Sequence, residues 1–454
     1  MRVSTTSPVA AADDVKIPTR RILAWGLWDW AFASFNAVAT TFVFSTYLAS
    51  TAFGNQAHEQ ELYGLFLTIA GIAIAVIAPV IGQRADTTGS RRLWLGINSG
   101  VVVLCLLGTV FVKAEPGYLF LGLACIAIGT VFYELAGVNY NSMLPQVSTP
   151  KTIGRVSGFG WSMGYFGGIV LLILILVLFV LGGTDAHPGL LGISSAGGLN
   201  IRIAMLLATL WAIGFAIPVF FAVKTPPVSA EIAAERTNFF ASYVVLFRNI
   251  ATLWKENRNT LWFLLASAIF RDGLTGVFTV AGSIGIVVFG FTTTTVLLFG
   301  VAANIAAGIA TVSVGRLDDR FGPKPVIVTS LIGMSVCALV IFVLHSEGAI
   351  IYWVFGLILA LFVGPAQSAS RTFLGRIIPA GREGEVFGLY ATTGRAAIWI
   401  SPLLYSTFIA LSPAADSAGK TVWGILGILV VVLVGLFVLL PVKPGQEQLG
   451  ARGR

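Results

Sequence analysis

The sequence is poor in charged residues. Asp, Glu, Lys and Arg make up only 11% of its 454 residues, whereas soluble domains average about 25%. Apolar residues reach 56%, above the roughly 45–50% of a soluble domain. This composition excludes a water-soluble fold and indicates a protein embedded in a lipid bilayer.

Cysteine is also scarce, with only Cys105, Cys125 and Cys337 in the chain. All three fall inside apolar runs without C-x-x-C spacing, so neither a disulfide framework nor a zinc site is indicated. Residues 160–164 read G-x-S-x-G, but the strand, turn and helix that a hydrolase needs around this motif are missing from the sequence. We therefore expect no enzymatic activity, no metal and no cofactor.

The apolar residues form twelve runs of about 20 residues each, the length that a helix needs to cross a bilayer. They lie at about 22–50, 62–81, 93–112, 118–139, 156–181, 201–223, 261–289, 296–314, 326–344, 349–369, 387–410 and 422–440. We predict an all-α membrane protein with twelve transmembrane helices.

A short motif after the second run returns after the eighth. Both copies read G-x-x-x-D-x-x-G-x-[RK], and the matched positions share the offset 233 (315 − 82, 319 − 86, 322 − 89, 324 − 91). One offset for four residues predicts an internal duplication, which is a common transporter design. We call residues 81–92 and 315–324 the first and second motif loops.

Each motif loop combines glycines, which permit tight turns, with an Asp among basic residues that can cap a helix start or pair with charge. We predict that the loops act as a latch between two moving halves; a solvated basic turn is the alternative. The predicted gating residues are Gly82, Asp86, Gly89, Arg91, Arg92, Gly315, Asp319, Arg320, Gly322 and Lys324.

The basic residues predict the orientation. Placing both termini and the motif loops on one side gathers most Lys and Arg there and leaves little beyond Lys113, Arg202 and Lys420 on the other. By the positive-inside rule, the termini and motif loops are expected to be cytoplasmic in a multi-pass protein of the cell membrane. Topology then explains the net charge of +8, so nucleic acid is not an expected partner.

The predicted organisation is a cytoplasmic tail at 1–21, a six-helix bundle at 22–223, a linker at 224–258, a second bundle at 259–441 and a tail at 442–454. Within the linker, apolar residues recur at helical spacing beside Arg and Lys; they are Phe240, Tyr243, Phe247, Ile250 and Trp254. This pattern predicts an amphipathic helix on the membrane surface. A partner-binding segment is the alternative.

Polar residues inside apolar runs are costly and mark functional sites by default. In the first run, Asp29 shares a helical face with Asn36 and Thr40, and we expect this face to look into the protein. Glu134 in the fourth run is a candidate proton carrier, with a structural hydrogen bond as an equal alternative. Both readings place these side chains away from lipid.

In the seventh run, Arg271 and Asp272 point about 100° apart on a helix and cannot face each other. Arg395 in the eleventh run is the predicted partner of Asp272. The tenth run carries a Gly-Pro pair that can kink a helix and free backbone groups for a ligand. The predicted substrate-binding or coupling residues are Asp29, Asn36, Glu134, Asn141, Arg271, Asp272, Asn304, Gln367, Arg371 and Arg395.

Twelve spans in two halves, with the motif after runs two and eight, resemble the major facilitator superfamily. Residues 28–31, 140–145 leading to 154–158, and 381–383 leading to 387–390 resemble its branch related to vacuolar amino-acid effluxers. The resemblance implies two pseudo-symmetric six-helix bundles, a central cavity open alternately to each side, and amino acids as the leading substrate class.

We therefore predict a secondary active transporter that moves a small polar solute by alternating access, with an amino acid as the candidate substrate and protons as the candidate coupling ion. An Arg could hold a carboxylate and an Asp an ammonium, which suits a zwitterion. An exporter of sugars or hydrophobic compounds and a non-transporting membrane receptor are the alternatives. We expect a monomer in the lipid bilayer.

Overall fold

The computed structural model describes residues 17–48, 50, 52–54, 56–223, 228, 239–378 and 381–443. Most of the two predicted tails and the first part of the predicted linker lie outside these residues. Eleven helical segments of the described chain are long and apolar enough to cross a membrane, and a broken helix pair supplies the twelfth span. The predicted all-α membrane fold is confirmed.

Six spans precede the linker. The first consists of α1 (Thr19–Ala33), a π-helix (Ser34–Phe42) and a short helix (Phe44–Leu48). The next five are α2 (Gln56–Thr88), α3 (Arg91–Thr109), α4 (Leu119–Ser142), α5 (Ile153–Ile175, continued by the π-helix Leu176–Val180) and α6 (Leu199–Ala222). The connections hold the short helices Pro116–Tyr118, Leu144–Val147 and Ala196–Gly198, and a small antiparallel pair of strands, β1 (Gly183–Thr184) and β2 (His187–Pro188).

The second half begins after a helix in the predicted linker, Phe239–Glu256, which we call the linker helix. Its spans are α7 (Arg258–Val287), α8 (Thr293–Phe321), α9 (Pro323–Val343), α10 (Ala349–Ile377), the pair α11 (Glu383–Ala397) and α12 (Ile400–Ala410), and α13 (Ser417–Leu439), with a short helix at His345–Glu347. Exposed Phe240, Phe247 and Trp254 line one side of the linker helix. The Tyr243 hydroxyl of the same helix donates to the Val76 carbonyl oxygen of α2 (3.1 Å).

The motif loops are helical over most of their length, although the sequence predicted loops. α2 runs to Thr88 and α8 to Phe321, well past the apolar runs. The chain turns only at Gly89 and Gly322, whose φ angles of 65° and 87° lie in the left-handed region that favours glycine. The motif carboxylates Asp86 and Asp319 can stay helical because the other half of the protein supplies their partners.

Buried apolar side chains form two hydrophobic clusters, one for each half. The first is built around α1 and its neighbours α3–α6, and includes Trp25 and Phe32. The second covers α7–α13, and also takes in Ile74 and Ala78 of α2. The helix α2 is therefore packed against the second half as well as its own.

The eleventh span is broken, whereas the sequence predicted one continuous run at 387–410. α11 ends at Ala397 and α12 starts at Ile400. Pro402 provides the reason, because proline has no backbone N–H and its ring clashes with the carbonyl four residues earlier. The predicted run was wrong at this point because proline does not lower the apolar character of a segment.

Side chains cap both free ends of this break. The backbone N–H of Ser401 donates to Asp272 Oδ2 of α7 (2.7 Å), and the Trp399 indole N–H donates to the Ala396 carbonyl oxygen (2.8 Å). Such capping satisfies backbone groups that an intact helix would pair internally. The break is thus a stable part of the fold.

The two helices of this span pack on different neighbours. α11 meets α2 of the first half, where the Thr392 hydroxyl donates to the Ala75 carbonyl oxygen (3.0 Å). α12 packs on α13 so closely that a Cβ at Gly427 would lie 2.5 Å from the Leu404 carbonyl oxygen. The part of the eleventh span that contacts the first half is therefore α11.

Candidate functional site

A cavity of about 1220 Å³ lies between the two halves. We call the end of the protein that carries the motif loops the motif end. The cavity extends to Thr46 and Val180, which lie near the opposite ends of their spans. All ten residues predicted for substrate binding or coupling line it: Asp29, Asn36, Glu134, Asn141, Arg271, Asp272, Asn304, Gln367, Arg371 and Arg395. The structure thus brings residues from six different spans to one chamber.

Arg371 of α10 reaches from the second half into the first. Its Nη1 lies 3.7 Å from Asp29 Oδ2 and donates to Asn141 Oδ1 (3.0 Å). Its Nε and Nη2 donate to the hydroxyl and the carbonyl oxygen of Ser157 (3.1 and 2.6 Å). The Tyr140 hydroxyl donates to the same Asp29 oxygen (2.9 Å). Arg371 therefore fastens α10 to three spans of the first half.

Aromatic rings enclose this guanidinium. Its carbon lies 5.0 Å from the ring centre of Trp25, 5.2 Å from that of Trp161 and 5.8 Å from that of Tyr140. Cation–π attraction is strongest where water is excluded, and the Arg371 side chain is only 2% exposed. The Arg371 cluster closes the cavity towards the motif end and is fully built without a ligand.

A second ion pair crosses between the halves nearer the open cavity. Arg395 Nη2 of α11 donates to Glu134 Oε1 of α4. The two side chains remain 23% and 29% exposed, so a solute in the cavity can reach both. The predicted pairing of Arg395 with Asp272 is wrong, because the helix break places Ser401 against Asp272.

Arg271 occupies the cavity wall beside this pair. Its guanidinium carbon lies 3.8 Å from the ring centre of Tyr390, and Nη1 donates to the Tyr390 carbonyl oxygen (3.3 Å). Within the described part of the chain, its buried Nε has no hydrogen-bond partner. Gly394 makes room for this side chain, since a Cβ there would lie 3.2 Å from Nη1. Arg271 therefore has donor capacity to spare.

The helical face predicted for Asp29, Asn36 and Thr40 is shifted by one residue. Asp29 and Asn36 line the cavity as expected, but Thr41 lines it in place of Thr40. Residues 34–42 form a π-helix, in which bonding follows i→i+5 instead of i→i+4. The prediction failed because it used the α-helical period throughout.

The Gly-Pro pair in the tenth run was expected to permit a kink. α10 continues as one helix through Pro365 and has no break there.

At the motif end, Asp86 of the first motif loop caps α11 of the opposite half. The backbone N–H groups of Gly384 and Glu385 donate to its two carboxylate oxygens (3.0 and 2.8 Å). Arg91 Nη2 lies 2.6 Å from Asp86 and 2.7 Å from the Glu383 carboxylate. A carboxylate at a helix N-terminus is favoured by the helix dipole.

Asp319 of the second motif loop makes the matching contact on α5. The backbone N–H groups of Gly154 and Arg155 donate to its carboxylate (2.7 and 3.2 Å), and so does Arg155 Nε (2.7 Å). Each Asp of the duplicated motif thus caps a helix of the other half. The duplication read from the sequence is matched by a duplicated contact.

Glycines let the backbones meet at these two interfaces. Gly82 faces the Gly384 carbonyl oxygen, and a Cβ on Gly315 would lie 2.9 Å from the Arg155 Cα. The remaining predicted gating residues do not cross between the halves: Arg92 and Arg320 are exposed, Gly89 and Gly322 form the turns, and Lys324 Nζ donates to carbonyl oxygens at the end of α13. The contact between the halves is therefore made by the other five predicted gating residues.

Tyr133, Tyr140, Ser157 and Trp161 belong to the site or its floor but were absent from the predicted set. A signal for two of them existed. Tyr133 and Tyr140 stand seven residues apart, and a step of seven keeps side chains on one helical face, next to Glu134 and Asn141 on the same helix. Aromatic residues were passed over because in an apolar run they read as core.

The family described as "Vacuole effluxer Atg22 like" matches residues 51–450. An uncharacterized MFS-type transporter, YxiO of Bacillus subtilis, is 25% identical over 427 residues, 93% of this chain and 94% of its own. Autophagy-related protein 22 of Cryptococcus neoformans is 25% identical over 308 residues, 63% of this chain. The chain spans about half the length of the autophagy-related relatives, 52% for this one.

Solved structures share the fold at low identity. The proton:xylose symporter XylE has a TM-score of 0.70 at 17% identity, covering 96% of this chain and 99% of its own. The human organic anion transporter MFSD10 has a TM-score of 0.71 at 14% identity, with 93% and 98% covered. Fold, cavity and family match agree: the chain is a multi-pass membrane transporter that belongs to the Atg22-like family of vacuole effluxers within the major facilitator superfamily.

Proposed function

We propose that this transporter moves a zwitterionic solute, an amino acid, by alternating access. One observation carries the proposal: both ion pairs in the cavity, Asp29–Arg371 and Glu134–Arg395, join an acid of the first half to an arginine of the second. A solute with a carboxylate and an ammonium group can exchange partners with such pairs. Binding would then change the contacts that hold the halves together.

The Glu134–Arg395 pair is the one that a solute meets first. Its side chains are accessible, whereas Arg371 is enclosed and its donors are engaged. In this arrangement the solute carboxylate binds Arg395, and the guanidinium of Arg271, which lines the same cavity, adds a second positive charge. The ammonium group then faces Glu134 and Asp29.

A proton on Glu134 would have the same effect on the pair as a solute. Neutral Glu134 no longer attracts the Arg395 guanidinium, so this arginine becomes available for a carboxylate. This gives a route by which protons couple to solute binding. We infer further that the motif end is cytoplasmic, that the protein lies in the cell membrane and that it works as a monomer.

Transport of radiolabelled amino acids into proteoliposomes tests the substrate class. We expect uptake by the wild type and its loss in Asp29→Asn and Arg395→Ala. Each charge-assisted hydrogen bond is worth about 1.5–3 kcal/mol, which corresponds to an affinity loss of about tenfold or more. A pH gradient across the vesicle, imposed in either direction, tests whether protons are coupled.

Lys420→Gln is the matched control, because Lys420 is an exposed cation of α13 outside the cavity. It should transport like the wild type. Unchanged uptake in both Asp29→Asn and Arg395→Ala would remove these residues from the mechanism. A thermal-shift screen that finds stabilisation by sugars or dyes and none by amino acids would favour the alternative exporter.

The latch is tested by Asp86→Asn. The variant loses the negative charge that faces Arg91 and the N-terminus of α11, so the closed motif end is expected to weaken and to open more often. Cysteine accessibility measured from each side of the membrane should rise at the motif end and fall at the opposite end. Identical accessibility on both sides in variant and wild type would contradict a gating role.

A further inference from the structure

A second, smaller cavity of about 440 Å³ lies at the motif end of the second half. It is formed by the ends of α8, α9, α10 and α13, away from the interface between the halves. Its lining residues are Phe321, Gly322, Pro323, Lys324, Pro325, Val328, Phe373, Arg376, Ile377 and Leu440. The two charged side chains in this set, Lys324 and Arg376, are both cations.

Arg376 has donors that the protein does not use. Its Nη2 lies 3.3 Å from Asp318 Oδ1, and its Nε is buried without a hydrogen-bond partner among the described residues. Nη1 lies near the turn at Gly322, where a Cβ would be 3.7 Å away. Buried donors are nearly always satisfied, and a guanidinium offers five of them. Because Arg376 also lines the cavity, the exposed part of its guanidinium can donate to an anion there.

Lys324 adds a second positive charge with a fixed position. Its Nζ donates to the carbonyl oxygens of Leu440 and Val442 (2.5 and 2.8 Å), where α13 ends. An ammonium group has three donors, so one remains for a ligand. Lys324 and Arg376 together outweigh Asp318, and the cavity carries a net positive charge.

Among the residues that the structure describes, the first half has no such site. Arg91, which matches Lys324 by the offset 233, is bound to Asp86 and Glu383 across the interface. The glycines of α5 and α11 are related by an offset of 230. By this offset, Arg376 corresponds to Gln146 (376 − 230). The basic cavity is therefore an addition to the duplicated plan and is not needed to close the motif end.

The rim of the cavity is apolar and exposed. Phe321 is 59% and Leu440 47% exposed, at the ends of two membrane spans. The exposed Arg320 lies over the Phe321 ring, with 5.1 Å between guanidinium carbon and ring centre. An anion bound here would meet cations on one side and hydrocarbon surface on the other, which is the environment of a phospholipid headgroup.

We propose that this cavity binds the phosphate group of an anionic phospholipid from the leaflet at the motif end. The phosphate is held by Arg376 and Lys324, and the acyl chains lie along Phe321 and Leu440. The shared chemistry is that of a phosphate ester, so soluble phosphates are the competing source. The site does not depend on the identity of the transported solute.

Such a lipid would act on the motif end through Asp318. The Asp318 side chain packs against α5, since a Cβ at Gly154 would lie 2.7 Å from its Cβ, and the next residue, Asp319, caps the same helix. A lipid that fixes Arg376 also fixes its partner Asp318. Bound lipid therefore stabilises the state in which the motif end is closed.

The test uses the full chain in nanodiscs of phosphatidylcholine alone or of an equal mixture with phosphatidylglycerol. Retained lipid is measured by native mass spectrometry and stability by thermal unfolding. We expect the wild type to retain phosphatidylglycerol and to unfold at a higher temperature in the mixture. In Lys324→Gln, retention should fall about tenfold or more, because a charge-assisted hydrogen bond is lost.

Arg316→Gln is the control, since Arg316 is an exposed cation of α8 on the same leaflet but outside the cavity; it should behave like the wild type. The double variant Asp318→Asn/Arg376→Gln removes the second cation without leaving a lone buried charge. If the double variant does not fold, Lys324→Gln alone tests the proposal. Retention at the wild-type level in Lys324→Gln would overturn the proposal. Equal stabilisation by glycerol 3-phosphate or inorganic phosphate in phosphatidylcholine discs would overturn the assignment to a lipid.

Discussion

Valine in place of Gly388 should force the motif end open. Gly388 of α11 faces α2, and a Cβ there would lie 2.6 Å from both the Ala78 carbonyl oxygen and the Pro79 Cα. Both neighbours are backbone atoms that cannot rotate away. Overpacking of this kind costs about 1–3 kcal/mol, so the ratio of open to closed states at this end should rise about fivefold to a hundredfold.

Double electron–electron resonance between labels at Leu93→Cys and Leu317→Cys reports this change, in a background without the three native cysteines. Both positions are exposed on helices of opposite halves at the motif end. Gly100→Val is the matched control, because among the described residues no atom beyond its own stretch of helix lies within 4 Å of its Cβ position. An unchanged distance distribution in Gly388→Val would show that the halves do not separate at this contact.

Alanine in place of Arg371 should abolish transport and destabilise the protein. The change removes the hydrogen bonds to Asn141 and Ser157 and leaves Asp29 with Tyr140 alone. Breaking a buried ion pair by removing one partner costs about 3–5 kcal/mol. Thermal unfolding in detergent and uptake in proteoliposomes measure the two effects separately.

Arg371→Lys separates charge from geometry. A lysine keeps the positive charge but cannot form the forked set of bonds to Ser157 and Asn141, so we expect partial recovery of stability and little recovery of transport. Arg316→Ala controls for the loss of an arginine from the motif end, because its side chain is exposed. Wild-type stability in Arg371→Ala would contradict the bracing role of this residue.

Composition and apolar runs were sufficient to predict the membrane class and the spans, and the family resemblance supplied the two bundles and the central cavity. Apolar runs identify spans because bilayer thickness imposes a fixed length, and the two copies of the motif at one offset indicated the halves. The ten cavity residues could be chosen in advance because polar side chains are rare inside these runs and must avoid lipid. The structure places all of them around one chamber.

Partner choice could not be predicted in the same way. Arg395 was assigned to Asp272 from charge alone, yet it binds Glu134 on another helix. The deciding factor was Pro402, which breaks the span and presents the Ser401 N–H to Asp272. The shift from Thr40 to Thr41 has a similar origin, since a π-helix leaves no trace in apolar periodicity. Local backbone departures set which side chains meet.

The broken eleventh span has a consequence for how the molecule can move. α11 contacts α2 across the interface between the halves, whereas α12 packs on α13 of its own half. Opening of the motif end therefore has to separate α11 from α2 but can leave the packing of α12 on α13 intact. Residues 398 and 399, which lie between the two helices, are the place where α11 can tilt without displacing α12.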